Sequence, residues 1–326
     1  MIIFKEDEIK KHIQINRESI FVIEAGFSSL DAGMVTMPPI MRVDIPENNG
    51  EVDMKTAYIA GCDKFAVKIS SGFFNNYQLG LPSGSGMMTL LSTITGVPQA
   101  ILLDNGYLTH IRTAVAGAIA AKYLAKKNVE TVGIIGTGSQ ARYQLEALKL
   151  VRDFKKVIVY GKTPSRVNQF INDMKSVLDV EIYSSASIES LVKDSEVVIT
   201  TTPSQSPLIK AEWLHPGLHI TSMGSDAEHK QELEAEVLAK ADHLVCDVKA
   251  QCFVLGELHH GLEQGTITRD SLITEIGELT SGKKNGRTKD DQITICDLTG
   301  TGVQDTAIAI YAYERLVKRN LGEGIS

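Results

Sequence analysis

The 326-residue sequence predicts an α/β fold, a doubly wound parallel sheet joined to a second α+β domain, on three observations. A glycine turn, Gly136-x-Gly138-x-x-Ala141, directly follows the apolar run Thr131–Ile135. Short β-branched runs then alternate with helix-forming segments. The residues before them lack that regularity and hold broken strand-like runs punctuated by glycine and proline. Alternation of strand and helix specifies parallel strands with helices on both faces.

Taken in order, residues 7–30 read as one helix, and 34–42, 51–60, 65–70 and 100–103 as strand-like runs. Gly80-Leu-Pro-Ser-Gly-Ser-Gly86 interrupts them as a turn. A helix opens at Arg112. The alternating part begins with the strand Thr131–Ile135 and a helix over 140–151. It continues through strand Lys156–Tyr160, helix 165–178, strand 181–183, helix Ile188–Lys193 and the strand 196–201. Strands 219–223 and 243–247 follow, with a Glu/Ala/Leu-rich helix over 231–240 between them. A further run, 292–298, precedes a last helix over 303–319. Its apolar residues Val303, Ala307, Ile310, Tyr313 and Val317 recur at helical spacing, which predicts one buried face. The expected domains are 1–112 plus 303–326, and 113–302.

Composition narrows the function classes. The chain is 43% hydrophobic and 22% charged, with a net charge of −7, so it offers no electrostatic case for nucleic acid or an anionic membrane. The first eight residues turn charged too early for a signal peptide, no apolar run reaches membrane-spanning length, and Cys62, Cys246, Cys252 and Cys296 lie scattered. A cytoplasmic location with buried, inert thiols is the expectation.

The glycine turn is a Rossmann-type dinucleotide fingerprint. Gly136 permits the tight turn, Gly138 lets the backbone approach a pyrophosphate, and Ala141 allows helix to pack on strand. The helix beyond, from Gln140, aims its N–H groups at the phosphates, with Ser139 and Gln140 beside them. An NAD site ends its second strand with an acid, but here Tyr160-Gly-Lys162-Thr-Pro-Ser-Arg166 offers two cations and two hydroxyls. Lys162 and Arg166 suit a 2′-phosphate, so NADPH is preferred and NADH possible.

The chain resembles the ornithine cyclodeaminase and μ-crystallin superfamily across nearly its whole length. The resemblance rests on Met37-Pro-Pro, Ala66-Val-Lys68, Ile111-Arg112-Thr113-Ala114 and Gly136-Thr-Gly-Ser-Gln-Ala141. It also rests on Thr200-Thr-Thr-Pro203, Met223-Gly-Ser-Asp226 with Lys230-Gln-Glu-Leu233, and Asp297-Leu-Thr-Gly300 with Gln304-Asp305. It implies that Arg42, Lys68 and Arg112, with Thr113, bind the α-carboxylate of an amino or imino acid. It places Thr201, Met223, Gly224, Thr299 and Gly300 about the cofactor, and the catalytic aspartate on Asp226. In an imine reductase Asp226 stabilises an iminium or supplies a proton; in a cyclodeaminase it activates the distal amine. Cyclodeaminases of the family hold that amine with a glutamate, where this chain has Asp53.

The resemblance therefore implies a homodimeric NAD(P)H-dependent reductase of a small cyclic imino acid, with Δ1-pyrroline-2-carboxylate the leading substrate. Ornithine cyclodeaminase, alanine dehydrogenase and a non-catalytic binding protein are the alternatives. No metal is expected. His259-His260 invites one, but adjacent helical residues point about 100° apart and no third ligand is evident.

Overall fold

The computed structural model describes residues 1–325. The chain divides into two compact units: Met1–Arg112 with the chain from Thr301 onward, and Thr113–Gly300.

The first unit opens with β1 (Ile2–Lys5), α1 (Glu6–His12) and α2 (Arg17–Asp31). The single helix expected over 7–30 is thus two. Ile13 leaves the helical conformation, and the Asn16 side chain accepts from Ser19 N at 2.9 Å to start the second helix. There follow β2 (Val35–Thr36), β3 (Met41–Ile45), β4 (Gly50–Ile59), β5 (Lys64–Phe73), β6 (Gly84–Ser92) and β7 (Pro98–Leu103). The turn expected over 80–86 ends at Gly84, where a strand begins that glycine had masked in the sequence.

β3 to β7 are antiparallel neighbours, and β1 joins β7 in parallel. The register sets Lys55 opposite Lys68, and Arg42 opposite Asp53. Because side chains alternate between faces, these two rows lie on the same face of the sheet.

α3 (Tyr107–Leu124) starts five residues earlier than the Arg112 opening read from sequence. Asp104 supplies its first-turn acceptor, taking Leu108 N at 2.7 Å.

The second unit contains β8 (Thr131–Ile135), α4 (Ser139–Lys149), β9 (Lys156–Tyr160), α5 (Pro164–Lys175), β10 (Glu181–Ser184), α6 (Ile188–Lys193) and β11 (Val197–Thr200). Then come β12 (Gln205–Ile209), β13 (His219–Ser222), β14 (Gln231–Leu233), α7 (Ala235–Ala239) and β15 (His243–Cys246). It closes with α8 (Lys249–Cys252), α9 (Gly256–Glu263), β16 (Ile273–Glu275), α10 (Ile276–Thr280) and β17 (Thr294–Asp297). The helix expected over 231–240 is only its second half. Gln231–Leu233 pairs with β12 instead, since its buried backbone groups find ladder partners there.

The large sheet of this unit is parallel throughout, in the order β10-β9-β8-β11-β13-β17-β15-β16. Chain order reverses between β8 and β11, the place where ligands settle on doubly wound sheets. Ile134, Val159 and Ile199 pack on one face, with Ala141 and Leu145 of α4 in the same cluster. Ile135, Val198, Ile220 and Ile295 belong to the cluster that includes Leu191 and Leu258.

The last helix, α11 (Gly302–Val317), returns to the first unit and packs on α2, β4 and β5. One buried face was expected, yet Gly302–Ala309 is buried all round and Val317 is exposed. Thr306 explains the tolerance of a hydroxyl there: it donates to Ala57 O at 2.7 Å and accepts from Ala66 N at 3.1 Å.

Candidate active site

In the first unit two cations converge on one acid. Arg112 of α3 donates from Nε to Asp305 Oδ1 at 2.9 Å, and Lys68 Nζ of β5 lies 3.0 Å from Asp305 Oδ2. Asp305 sits in the first turn of α11 and is wholly buried, and Lys68 and Arg112 are buried too. Burial opposes ionisation of Asp305, but Arg112, Lys68 and Lys55 together hold its carboxyl below the usual range. Burial, helped by the like charges of Arg112 and Lys55 and opposed by Asp305, lowers the Lys68 ammonium to about 7. Three buried cations acting on a single carboxylate form a site that favours a further anion. Asp104, buried near Lys68, is pushed up to about 6 by desolvation.

Sequence reading placed Lys68 and Arg112 here but gave no role to Asp305 or Lys55. The only signals were the Gln304-Asp305 motif and the two-residue spacing of Asp53 and Lys55. Arg42, in the neighbouring row of the same face, pairs within its hairpin: it bonds Asp44 at 2.8 Å and Glu51, and lies 3.8 Å from Asp53. The β3–β4 hairpin carries those acids, so its guanidinium is neutralised locally. Thr113 follows Arg112 in α3, and its carbonyl accepts from Gln144 Nε2 at 3.1 Å.

In the second unit the glycine turn crosses the end of β8. Gly136 has φ +116°, and a Cβ there would meet Thr201 Oγ1 at 2.6 Å. Thr201 in turn bonds Ile135 O through N at 2.9 Å and through Oγ1 at 3.2 Å, closing the junction of β8 and β11. A Cβ on Gly138 would meet nothing within 4 Å. No side chain caps α4 there, so Ser139 and Gln140 stand at an uncapped helix start. Arg142 fixes the turn by donating to Thr137 O at 2.6 Å and Asp173 at 2.6 Å. Open space over Gly138 and uncapped N–H groups fit a pyrophosphate. Lys162 lies just beyond β9 and Arg166 in the first turn of α5, and both are exposed.

Beyond β11 and β13, Glu232 ties two loops together. Fully buried, it accepts from Thr202 N at 2.7 Å, Gly224 N at 2.8 Å and Thr200 Oγ1 at 2.5 Å. Sequence reading gave this glutamate no role. Met223 and Gly224 are held by that clasp. Asp226 follows in an irregular loop, not at a helix start, and pairs with Lys230 Nζ at 2.7 Å. Thr299 and Gly300 are anchored by Asp247, which accepts from their backbone N–H groups at 2.9 and 2.7 Å. Neighbouring Asp297 is pushed up to about 8 by burial and by Asp247 and Glu232, and Glu257 is also raised well above its ordinary value by burial.

The scattered cysteines partly gather. Cys246, Cys252 and Cys296 are buried together, and burial raises all three thiols. On α9, Glu263 stands one helical turn beyond the two histidines, 3.5 Å from His259 Nε2 and 4.0 Å from His260 Nδ1.

The profile of the ornithine cyclodeaminase/mu-crystallin family matches residues 1–320. The chain belongs to that family. A Sinorhizobium fredii protein named as an uncharacterized cyclodeaminase is 46% identical over 99% of this chain and 98% of its own. The structure of Thermococcus litoralis Δ1-pyrroline-2-carboxylate reductase in complex with NADH and L-proline superposes with TM-score 0.95 at 30% identity, covering both chains fully. An archaeal alanine dehydrogenase dimer with bound NAD gives 0.92 at 34% identity, over 100% of this chain and 99% of that one. Among the described residues no helix is long and apolar enough to cross a membrane.

Proposed function

We propose that the protein is a nicotinamide-dependent oxidoreductase that reduces the C=N bond of a small imino acid, Δ1-pyrroline-2-carboxylate foremost, giving L-proline. The observation that carries this reading is the buried trio Lys55, Lys68 and Arg112 around the carboxylate of Asp305. Such a cluster binds a substrate carboxylate without further desolvation of its own charges. Arg112 contributes a planar fork and Lys68 a point charge. Both are held by Asp305, so the clamp is preorganised and fixes the carbon next to the carboxylate.

A bound dihydronicotinamide supplies hydride. Gly136, Gly138, Ser139, Gln140, Ala141 and Thr201 form its nucleotide cradle, with Met223, Gly224, Thr299 and Gly300 at the neighbouring strand ends. Lys162 and Arg166 favour NADPH by offering cations to a 2′-phosphate. Asp226 acts at the imine nitrogen. Its carboxylate pairs with Lys230 Nζ at 2.7 Å, and an anion placed there stabilises an iminium.

Asp53, the counterpart of the cyclodeaminase glutamate, lies beside the Arg42 guanidinium, which disfavours its holding an ammonium. Alanine dehydrogenase is the second reading, favoured by the 34% identity to the NAD-bound archaeal enzyme. The first unit also exposes Met41 and Val43 on one face of β3, which supports pairing with a second copy. The named dimer among its structural neighbours supports the same reading.

Following NAD(P)H absorbance tests the proposal. Oxidation with Δ1-pyrroline-2-carboxylate, and no ammonia from ornithine, is the expected result. Turnover of pyruvate plus ammonia alone would make it an alanine dehydrogenase, and ammonia from ornithine without net cofactor consumption would make it a cyclodeaminase.

A further inference from the structure

Helix α9 carries a group outside the site described above. His259 Nε2 lies 3.5 Å from Glu263 Oε2, and His260 Nδ1 lies 4.0 Å from the same oxygen. The three ligand atoms all fall within 4.8 Å of one another, the one such His/Cys/Asp/Glu set among the described residues. Adjacent histidines splay apart on a helix, but Glu263 stands at i+4 from one and i+3 from the other, the two spacings that meet on a helix surface. The rings therefore turn toward it, with centroids 5.1 Å apart.

The tautomer of His260 is fixed independently. Its Nε2 is 2.8 Å from Lys230 O. A carbonyl only accepts, so Nε2 carries the hydrogen and Nδ1 presents its lone pair beside Glu263. A ring nitrogen donating to a backbone carbonyl while the other faces the ligand site is the usual support for a metal-binding histidine.

We infer that His259 Nε2, His260 Nδ1 and Glu263 form a binding site for a divalent transition ion of the zinc class, completed by water. Two imidazoles and a carboxylate are a donor set such ions take. Bonds of about 2.0–2.1 Å at tetrahedral angles put ligand atoms about 3.4 Å apart. The exposed Glu263 closes the observed 3.5 and 4.0 Å by rotating its side chain, and a turn of the His259 ring brings the two ring nitrogens, within 4.8 Å of each other, to that spacing. His260 would also couple an ion at Nδ1 to the carbonyl of Lys230, whose ammonium pairs with Asp226.

Calorimetric titration of ZnCl2 into untagged, chelator-treated full-length protein tests the site. Saturable binding of one ion per chain is expected. His259→Ala and Glu263→Gln should each weaken it by at least the roughly tenfold that loss of an outer-shell partner alone costs. Their metal-free melting temperatures should match the parent. No saturable binding overturns the inference, as does binding undiminished in both variants, which would put the ion elsewhere, on the buried thiols for example.

Discussion

Arg112 and Asp305 meet at 2.9 Å across 193 residues of sequence, and Lys68 completes the contact from the opposite oxygen of the same carboxylate. One acid thereby fixes a helix, a strand and the C-terminal helix of the first unit. Asp305→Asn leaves two buried cations without a full counter-charge. Breaking a buried pair in this way costs about 3–5 kcal/mol. Urea denaturation should show a lower midpoint with an unchanged slope; an unaltered midpoint would mean that the cations are neutralised by other groups.

The Lys68 ammonium, lowered to about 7, makes substrate affinity pH-dependent. A carboxylate ligand favours the charged form, so the free-enzyme value is the lower one and binding raises it. KM should be flat below pH 6 and rise above pH 7, about tenfold per unit until the value of the complex is passed. In Lys68→Arg the rise should vanish, which separates it from titration of the substrate. Parallel pH profiles in the two proteins would remove Lys68 from the clamp.

The two turn glycines should fail differently. Gly138 has open space where a Cβ would stand, so Gly138→Ala should keep the parent melting temperature while weakening nucleotide binding. Gly136 has φ +116° and would press on Thr201, so Gly136→Ala should lower the melting temperature itself. Binding of NADH followed by fluorescence, beside thermal melts, distinguishes them. Tight binding in Gly138→Ala would mean that the pyrophosphate lies elsewhere.

Neutralising Lys162 and Arg166 together should raise KM for NADPH much more than KM for NADH. Equal changes for both nucleotides would contradict a 2′-phosphate site at these residues.

Much of the second unit was legible because its signals are local. Lys156–Tyr160 and Ile188–Lys193 were read with their bounds correct, and the glycine turn announces the start of α4. Gln231–Leu233 misled because Glu and Leu favour helices, whereas its strand state depends on pairing with β12. The start of α3 was set late because Asp104, its acceptor, is followed by Asn105 and Gly106, which carry no helical pattern. Of the clamp, Lys68 and Arg112 were legible only through the family resemblance carried by Ala66-Val-Lys68 and Ile111-Arg112-Thr113-Ala114. Asp305 was not, since an acid in a helix's first turn has an ordinary local explanation. The cross-strand alignment of Lys55 with Lys68, and the neutralisation of Arg42 by its own hairpin, exist only in the folded register.

The most direct test of the carboxylate clamp is the KM of Arg112→Lys for the imino acid that the parent reduces. This change keeps the charge and removes the planar fork. Loss of a hydrogen bond to a charged group costs about 1.5–3 kcal/mol, so KM should rise roughly ten- to hundredfold while NADH affinity stays at the parental value. An unchanged KM would contradict the account.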